Sequence, residues 1–262
     1  MMDSILKIEN LTISFGGIKA LNNVNFEVKK GSIYSIIGPN GAGKTTIFNC
    51  ISGIYPPDTG KIFFKGEEIT YSKPYQVAKK GIARTFQNIE LFSHMSTMDN
   101  LMLGRHIHMK TGVWRGATFL YKGSKPAKEE IKHREKVEEI IDFLELQAAR
   151  NQFVINLPYG TRKLVELGRA LALEPEVILL DEPSAGMNME EKGDLIFSIQ
   201  DIRDDLGITV LLVEHDMNLI MDISDRILAL NFGERIAEGL PEEIQKHPEV
   251  LKAYLGEEEK VA

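Results

Sequence analysis

Apolar and polar positions change period several times along the chain, and each change predicts an element. Leu6, Ile8, Leu11 and Ile13 alternate with polar neighbours, which predicts short strands and turns running on through "FGGIKALNNVNFEVKKG". Residues 33 to 37, "IYSII", form a nearly continuous apolar run, so they predict a strand buried on both faces. Glycines and a helix follow it in "GPNGAGKTTIFNCISG". Turn residues flank "KIFFKGEEI", predicting a small antiparallel piece laid on the core. "GIARTFQ" predicts one more strand, and from Leu91 the pattern lengthens. Ile131, Val137, Ile140, Ile141 and Leu144 recur at helical spacing across 129–146. After Val177 strands and helices alternate again through "VILLD", "LIFSIQDIRDD", "ITVLLVEH" and "RILAL". That alternation predicts an α/β core with a mostly parallel sheet, interrupted by a helical insertion from about Leu91.

The insertion closes on "LPYGTRKLVELGRALA", residues 157–172, a sharp turn running into a helix. Asn156 as a capping side chain and Pro158 in the first turn would suffice to start it. Gly160 allows a second reading, because bare N–H groups and the helix dipole favour an anion at that end.

Composition narrows the class. The chain has 262 residues, 43% of them hydrophobic and 26% charged, which is ordinary for a globular protein. A net charge of -7 argues against a protein that coats nucleic acid. The one cysteine, Cys50, excludes an internal disulfide and reads as a small buried side chain. "MMDSILKIEN" lacks the apolar core of a signal peptide, and no run reaches bilayer-spanning length, so the expectation is a cytoplasmic protein that docks on a membrane partner. The acidic tail, 256–262, is expected to fray.

Chemistry concentrates where strands are predicted to end. Residues 38–45, "GPNGAGKT", fit G-x-x-x-x-G-K-[ST] between a strand and a helix. Backbone N–H groups there would close on phosphates, with Lys44 as a point charge and the Thr45 hydroxyl as a Mg²⁺ ligand. Asp181 and Glu182 end an apolar strand at the sheet's carboxyl edge, suited to hold Mg²⁺ and to orient or deprotonate a water. His215 follows "ITVLLVE" at another strand end, in reach of a terminal phosphate, and Gln87 could place a water or contact the metal.

Weaker signals lie in the insertion. Between Gly104 and Lys128 there is no acidic residue, and Arg105, Lys110, Arg115, Lys122, Lys125 and Lys128 alternate with Trp114, Phe119, Leu120 and Tyr121. This fits either phospholipid headgroups and a partner helix or a solvated flap packed on its own subdomain. His106 and His108 without acidic or cysteine neighbours make a poor metal site.

Taken in order, these motifs resemble the ATP-binding subunit of an ABC transporter over nearly the whole chain. The resemblance implies a P-loop NTPase fold with a RecA-like core, an antiparallel β subdomain and an inserted helical subdomain at about 91–172, forming one ATPase domain. It implies that Phe15 stacks on adenine and that Gly38, Pro39, Asn40, Gly41, Ala42, Gly43, Lys44, Thr45 and Thr46 form the Walker A loop. Gln87 is then the Q-loop glutamine, Asp181 the Walker B aspartate, Glu182 the catalytic base and His215 the switch histidine. Gln87, Thr45 and Asp181 would share the metal.

"LPYGT" falls on the family's L-S-G-G-Q signature, retaining Leu157 and Gly160, with Pro158, Tyr159 and Thr161 substituted. In the family this segment faces ATP held by another subunit, which implies a working dimer. Asn188 in "SAGMN" stands where aspartate is common. These departures, with "GIARTFQNIELFSHMSTMDNLMLGRH" and "AYLGE", resemble the larger ATPase of branched-chain amino acid importers. That implies ATP and Mg²⁺ as cofactors. The implied partners are transmembrane permease subunits, a second ATPase subunit and, indirectly, an extracytoplasmic substrate-binding protein, with no nucleic acid. Cargo such as urea or amides, lipopolysaccharide export, and a soluble non-transport ATPase remain alternatives.

Overall fold

The computed structural model describes residues 4–109 and 125–261, with side chains outside 125–127 and 255–261. Its first two strands, β1 (Ser4–Phe15) and β2 (Ile18–Lys29), make one long antiparallel hairpin. The several short strands expected here are a single ribbon, because register shifts between Ile8 and Leu11 and between Leu11 and Ile13 break the alternation without ending the pairing. Next come β3 (Ile33–Ile37), α1 (Lys44–Ile51), β4 (Thr59–Phe64) and β5 (Glu67–Glu68). β4 pairs with β1, giving an antiparallel sheet in the order β2-β1-β4-β5.

α2 (Pro74–Lys80) leads to β6 (Ile82–Arg84), and three helices follow: α3 (Thr97–Gly104), α4 (Lys125–Phe143) and α5 (Tyr159–Leu171). The alternating part then runs β7 (Val177–Asp181), α6 (Met189–Asp204), β8 (Thr209–Val213), α7 (Met217–Ile223) and β9 (Arg226–Asn231). β10 (Glu234–Gly239), α8 (Pro241–Gln245) and α9 (Pro248–Val261) complete it, so the expected frayed tail is helical as far as Val261.

The second sheet has the order β10-β9-β3-β8-β7-β6 and is parallel from β9 to β6, with β10 antiparallel at its edge. β3, β7 and β8 are buried at every residue. Their side chains alternate between two cores: Val177 and Leu179 pack with the antiparallel sheet and α1, Ile178 and Leu180 with α3 to α6. Cutting one such leucine to alanine costs about 2–5 kcal/mol. Parallel pairing puts the carboxyl ends of β3, β8, β7 and β6 on one edge, and that edge carries the chemistry.

Two expectations shift. "GIARTFQ" is strand only to Arg84; Thr85 N–H still bonds the Leu179 carbonyl at 2.9 Å, and beyond it side chains take over from the ladder. α4 starts before 129 and ends at Phe143, with its buried face on Val137 and Ile141 and with Leu144 buried just past its end; Ile131 is 56% exposed, because the packed stripe has turned away from it.

Candidate nucleotide site at the carboxyl edge of the sheet

The loop from Gly38 to Lys44 leaves β3 in a conformation that requires glycine. Gly38 has φ 150°, and a Cβ there would overlap the Leu230 carbonyl oxygen; Gly43 has φ 102°, and a Cβ would lie 2.7 Å from the Ala20 carbonyl oxygen. Within the loop Ala42 N–H bonds Pro39 O at 3.1 Å, Asn40 and Gly41 form its exposed crest, and Gly233 N–H bonds Ala42 O at 3.0 Å. Gly43 provides no side-chain cap for α1, so the helix opens on bare N–H groups, with Thr45 and Thr46 in its first turn. Bare N–H groups and a helix dipole are the elements of an anion cradle. Buried Lys44 donates from Nζ to Gly38 O at 2.6 Å and Pro39 O at 3.0 Å, lying across the loop it would share with phosphate.

The ends of β7, β8 and β6 bring three predicted residues together. Glu182 has φ 49°, left-handed for a non-glycine residue, a strain of about 1–3 kcal/mol that marks positions held by their surroundings. Its carboxylate is gripped from both sides: Gln87 Nε2 donates to Oε2 at 2.7 Å and His215 Nε2 lies 2.5 Å from Oε1. A carboxylate accepts, so the histidine proton sits on Nε2. Asp181 turns the other way. It is 2% exposed, its Oδ2 accepts from Arg84 Nη2 at 2.9 Å, and its Oδ1 has no hydrogen-bond partner among the described residues. Burial raises the Asp181 pKa, while Arg84 and, more weakly, Lys44 act to lower it.

Sequence reasoning missed Arg84, Glu214, Lys163, Glu166 and Tyr55. Arg84 also donates to Asn49 on α1 at 2.7 Å and to Ser52, its C-cap residue, at 3.1 Å, and lies over the Phe48 and Phe86 rings. Buried Glu214 accepts from Ser184 N at 2.7 Å and His215 N at 3.0 Å, tying the loops after β7 and β8. Phe15 is exposed at the end of β1, its ring 5.2 Å from Tyr55 at 65°. A charge inside an otherwise apolar strand, as in "GIART", was the signal available for Arg84.

The opening of α5 differs from expectation. Asn156 lies in a short 3-10 turn, Pro158 is the N-cap residue, and no side chain caps the helix. Gly160 is buried rather than open: the Glu191 carboxylate occupies the space a Cβ would need, and the Tyr159 ring packs on Gly186. Asn188 accepts from Glu191 N–H at 3.0 Å and Glu191 accepts from Asn188 N–H at 2.9 Å, a reciprocal cap of α6 that asparagine makes as well as aspartate.

Of the basic insertion, residues 110–124 lie outside the described residues. Arg105 is no headgroup contact: it is 3% exposed, bonds Ala172 O at 2.8 Å, pairs with Glu174 at 3.1 Å and donates to His133 Nδ1 at 3.2 Å. His108 reaches Leu173 O at 3.0 Å, and among the described residues no three potential ligands gather for a metal. Cys50 is buried, its thiol pushed up to about 12 by desolvation first and Asp58 second. Among the described residues no helix is long and apolar enough to cross a membrane.

A glycine cradle after a buried strand, with acids and a histidine on neighbouring strand ends, defines a P-loop nucleotide-binding cassette. Residues 21–185 match the ABC transporter family, and residues 234–260 match the branched-chain amino acid ATP-binding cassette transporter family. The chain is 41% identical to the high-affinity branched-chain amino acid transport ATP-binding protein BraF of Pseudomonas aeruginosa, covering 98% of this chain and all of that one. With its counterpart LivG of Escherichia coli it shares 39% at the same coverage. The ADP conformation of MJ1267, an ATP-binding cassette of an ABC transporter, superposes with a TM-score of 0.83 at 32% identity, over 97% of this chain and 99% of that one. The dimeric structure of MJ0796, a bacterial ABC transporter cassette, gives 0.73 at 27% identity, over 90% and 98%. The chain belongs to the ATP-binding subunits of branched-chain amino acid ABC transporters, ATPases that couple ATP hydrolysis to transport.

Proposed function

We propose that this ATPase works as one half of a cassette dimer on the cytoplasmic face of the membrane, beneath permease subunits supplied by an extracytoplasmic binding protein. The cargo is a branched-chain amino acid, and the second ATPase is another copy or a related subunit. The observation that carries the catalytic reading is the convergence of Gln87 and His215 on Glu182, at the sheet edge that also bears Lys44 and Asp181. The 91–172 segment serves as the helical subdomain of a single domain.

Asp181 and Thr45 fit a Mg²⁺ ion by the chemistry of their donors: a buried carboxylate oxygen without a hydrogen-bond partner and a hydroxyl at the start of α1. When bound with ATP, the ion supplies charge neutralisation on the phosphates. Everything else falls to the chain. Residues 38–46 seat the phosphates, and Lys44 exchanges its carbonyl partners for phosphate oxygens. Phe15 takes the adenine face.

Glu182 holds the attacking water and accepts its proton as the new O–P bond forms and the bond to ADP breaks. Gln87 fixes the Glu182 carboxylate, its amide oxygen being the atom with metal-ligand chemistry. His215, already protonated at Nε2, can turn that N–H onto the γ-phosphate. The α5 opening at Gly160 faces the second subunit's nucleotide once Glu191 moves aside. The test is uptake of labelled leucine by a deletion strain: the wild-type gene restores it and Glu182→Gln does not. Equal restoration by both would overturn the coupling of this site to transport.

A further inference from the structure

Two charged side chains of α5 are buried and take no part in the chemistry above. Lys163 is 4% exposed and Glu166 is 2% exposed. Such burial is costly unless each charge has partners, so what they bind matters. Lys163 donates from Nζ to the carbonyl oxygen of Gln87 at 2.9 Å. Glu166 accepts through Oε1 from the N–H of Phe86 at 3.4 Å and of Glu90 at 3.5 Å. Between them they engage three backbone groups of the segment that leaves β6, where the strand ladder has ended.

The surroundings leave these groups no easy substitute. A void of about 10 Å³ bounded by Thr85, Lys163, Glu166, Leu167, Leu180, Pro183 and Leu195 is at the lower limit for a single water. Burial lowers the Lys163 pKa, against the pull of Glu166, Glu214, Asp181 and Glu182. Burial likewise raises that of Glu166, against Lys163 and its two backbone donors.

Gln87 is therefore held at both ends: Lys163 grips its carbonyl oxygen, and its side-chain nitrogen holds Glu182 at 2.7 Å. We infer that Lys163, supported by Glu166, is a positioning residue for ATP hydrolysis, fixing the backbone of Gln87 and through it the Glu182 carboxylate. Lys163 also lies one turn after Gly160 on the same face of α5, so a shift of that helix is carried to Gln87. The inference rests on the proposed roles of Gln87 and Glu182.

The experiment measures kcat and KM for MgATP, nucleotide affinity and thermal midpoint on the full-length chain. In Lys163→Met, kcat is expected to fall by about tenfold or more while KM stays within about twofold, because the phosphate cradle is untouched. Lys163→Arg, which keeps a donor, recovers most of that loss. Lys163→Met alone leaves Glu166 as an unpaired buried charge and could fold poorly, so the double variant Lys163→Met/Glu166→Gln is the decisive one. It removes both charges, keeps an amide oxygen for Phe86 and Glu90, and loses the tie to Gln87; its kcat is expected to stay low.

Wild-type kcat in either Lys163→Met or the double variant overturns the inference. So does a parallel loss of kcat, nucleotide affinity and thermal midpoint in the double variant, which marks a purely structural pair. Gln87→Ala separates the two levels. If it is slow while Lys163→Met is normal, only the tie fails; if Gln87→Ala itself runs at the wild-type rate, the reading of the site fails and the inference with it.

Discussion

Glu182 carries a strained backbone, two side-chain partners and the proposed role of base, and these demands can be separated by substitution. Glu182→Gln retains side-chain size and backbone constraint but cannot accept the proton of water. ATP affinity by fluorescent-nucleotide titration is expected to stay within about twofold, while turnover drops by roughly 10²–10⁴. Turnover near that of the wild type would remove Glu182 from the chemistry. Arg84 tests a different kind of residue, one argued to hold rather than to react. Arg84→Met strands the buried Asp181 carboxylate and is expected to lower unfolding free energy by about 3–5 kcal/mol in urea titrations. A loss no larger than that of an exposed ion pair would show that solvent reaches Asp181. The site residues legible in the chain were those announced by local pattern: glycines after a buried strand, and acids or a histidine where an apolar run stops. Arg84 offered only a charge in an apolar strand and Lys163 no local signal at all, because their partners lie 97 and 76 positions away and only tertiary packing joins them.

At the level of elements, periodicity located the five parallel strands of the second sheet, missed the antiparallel edge strand β10, and misjudged lengths where something non-local intervened. Bulges hid the continuity of β1, side-chain ties ended β6 early, and the packing of α4 turned Ile131 outward. α4 also carries a pH-sensitive contact. His133 on α4 is buried and accepts at Nδ1 from Arg105, just beyond α3, so its ring is neutral. Its pKa is lowered from 6.5, by burial first, then by the Arg105 charge and more weakly by His108 and Lys132, while Glu129 acts to raise it. Well above pH 6.5 folded and unfolded chains are both neutral at this site. As pH falls through 6.5 the unfolded chain binds a proton that the folded one resists, so stability declines until pH passes below the folded value. The urea midpoint is therefore expected to drop from pH 7.5 to 5.5 more steeply in the wild type than in His133→Gln, which keeps an acceptor for Arg105. Equal slopes would mean that His133 binds its proton without disturbing the α3–α4 contact.

For the whole molecule, the phosphate loop with Lys44 and Glu182 is one half of a shared site, and the opening of α5 the other half, if the proposed dimer is right. One chain seats the nucleotide on its phosphate loop, and a second must offer an uncapped helix N-terminus to the terminal phosphate. In this conformation Pro158 and Tyr159 at that helix end are exposed, and the Glu191 carboxylate, held in the cap of α6, lies against Gly160 on the side a Cβ would take. A second subunit's phosphate docking there meets a like charge beside the helix end, so association should depend on the γ-phosphate and on its survival. Light scattering of Glu182→Gln, alone and mixed with the proposed related ATPase subunit, is expected to show the particle mass doubling with ATP. With ADP it should not, and Lys44→Met, which cannot hold the phosphates, should stay monomeric under either nucleotide. Glu191→Ala adds the sharper test: freed of this like charge, the Glu182→Gln chain should associate at lower ATP concentration, despite an α6 cap weakened by about 1 kcal/mol. An unchanged or higher ATP requirement would show that the Glu191 charge does not oppose phosphate at the α5 terminus, and absence of ATP-dependent association in every mixture would rule out the shared site itself.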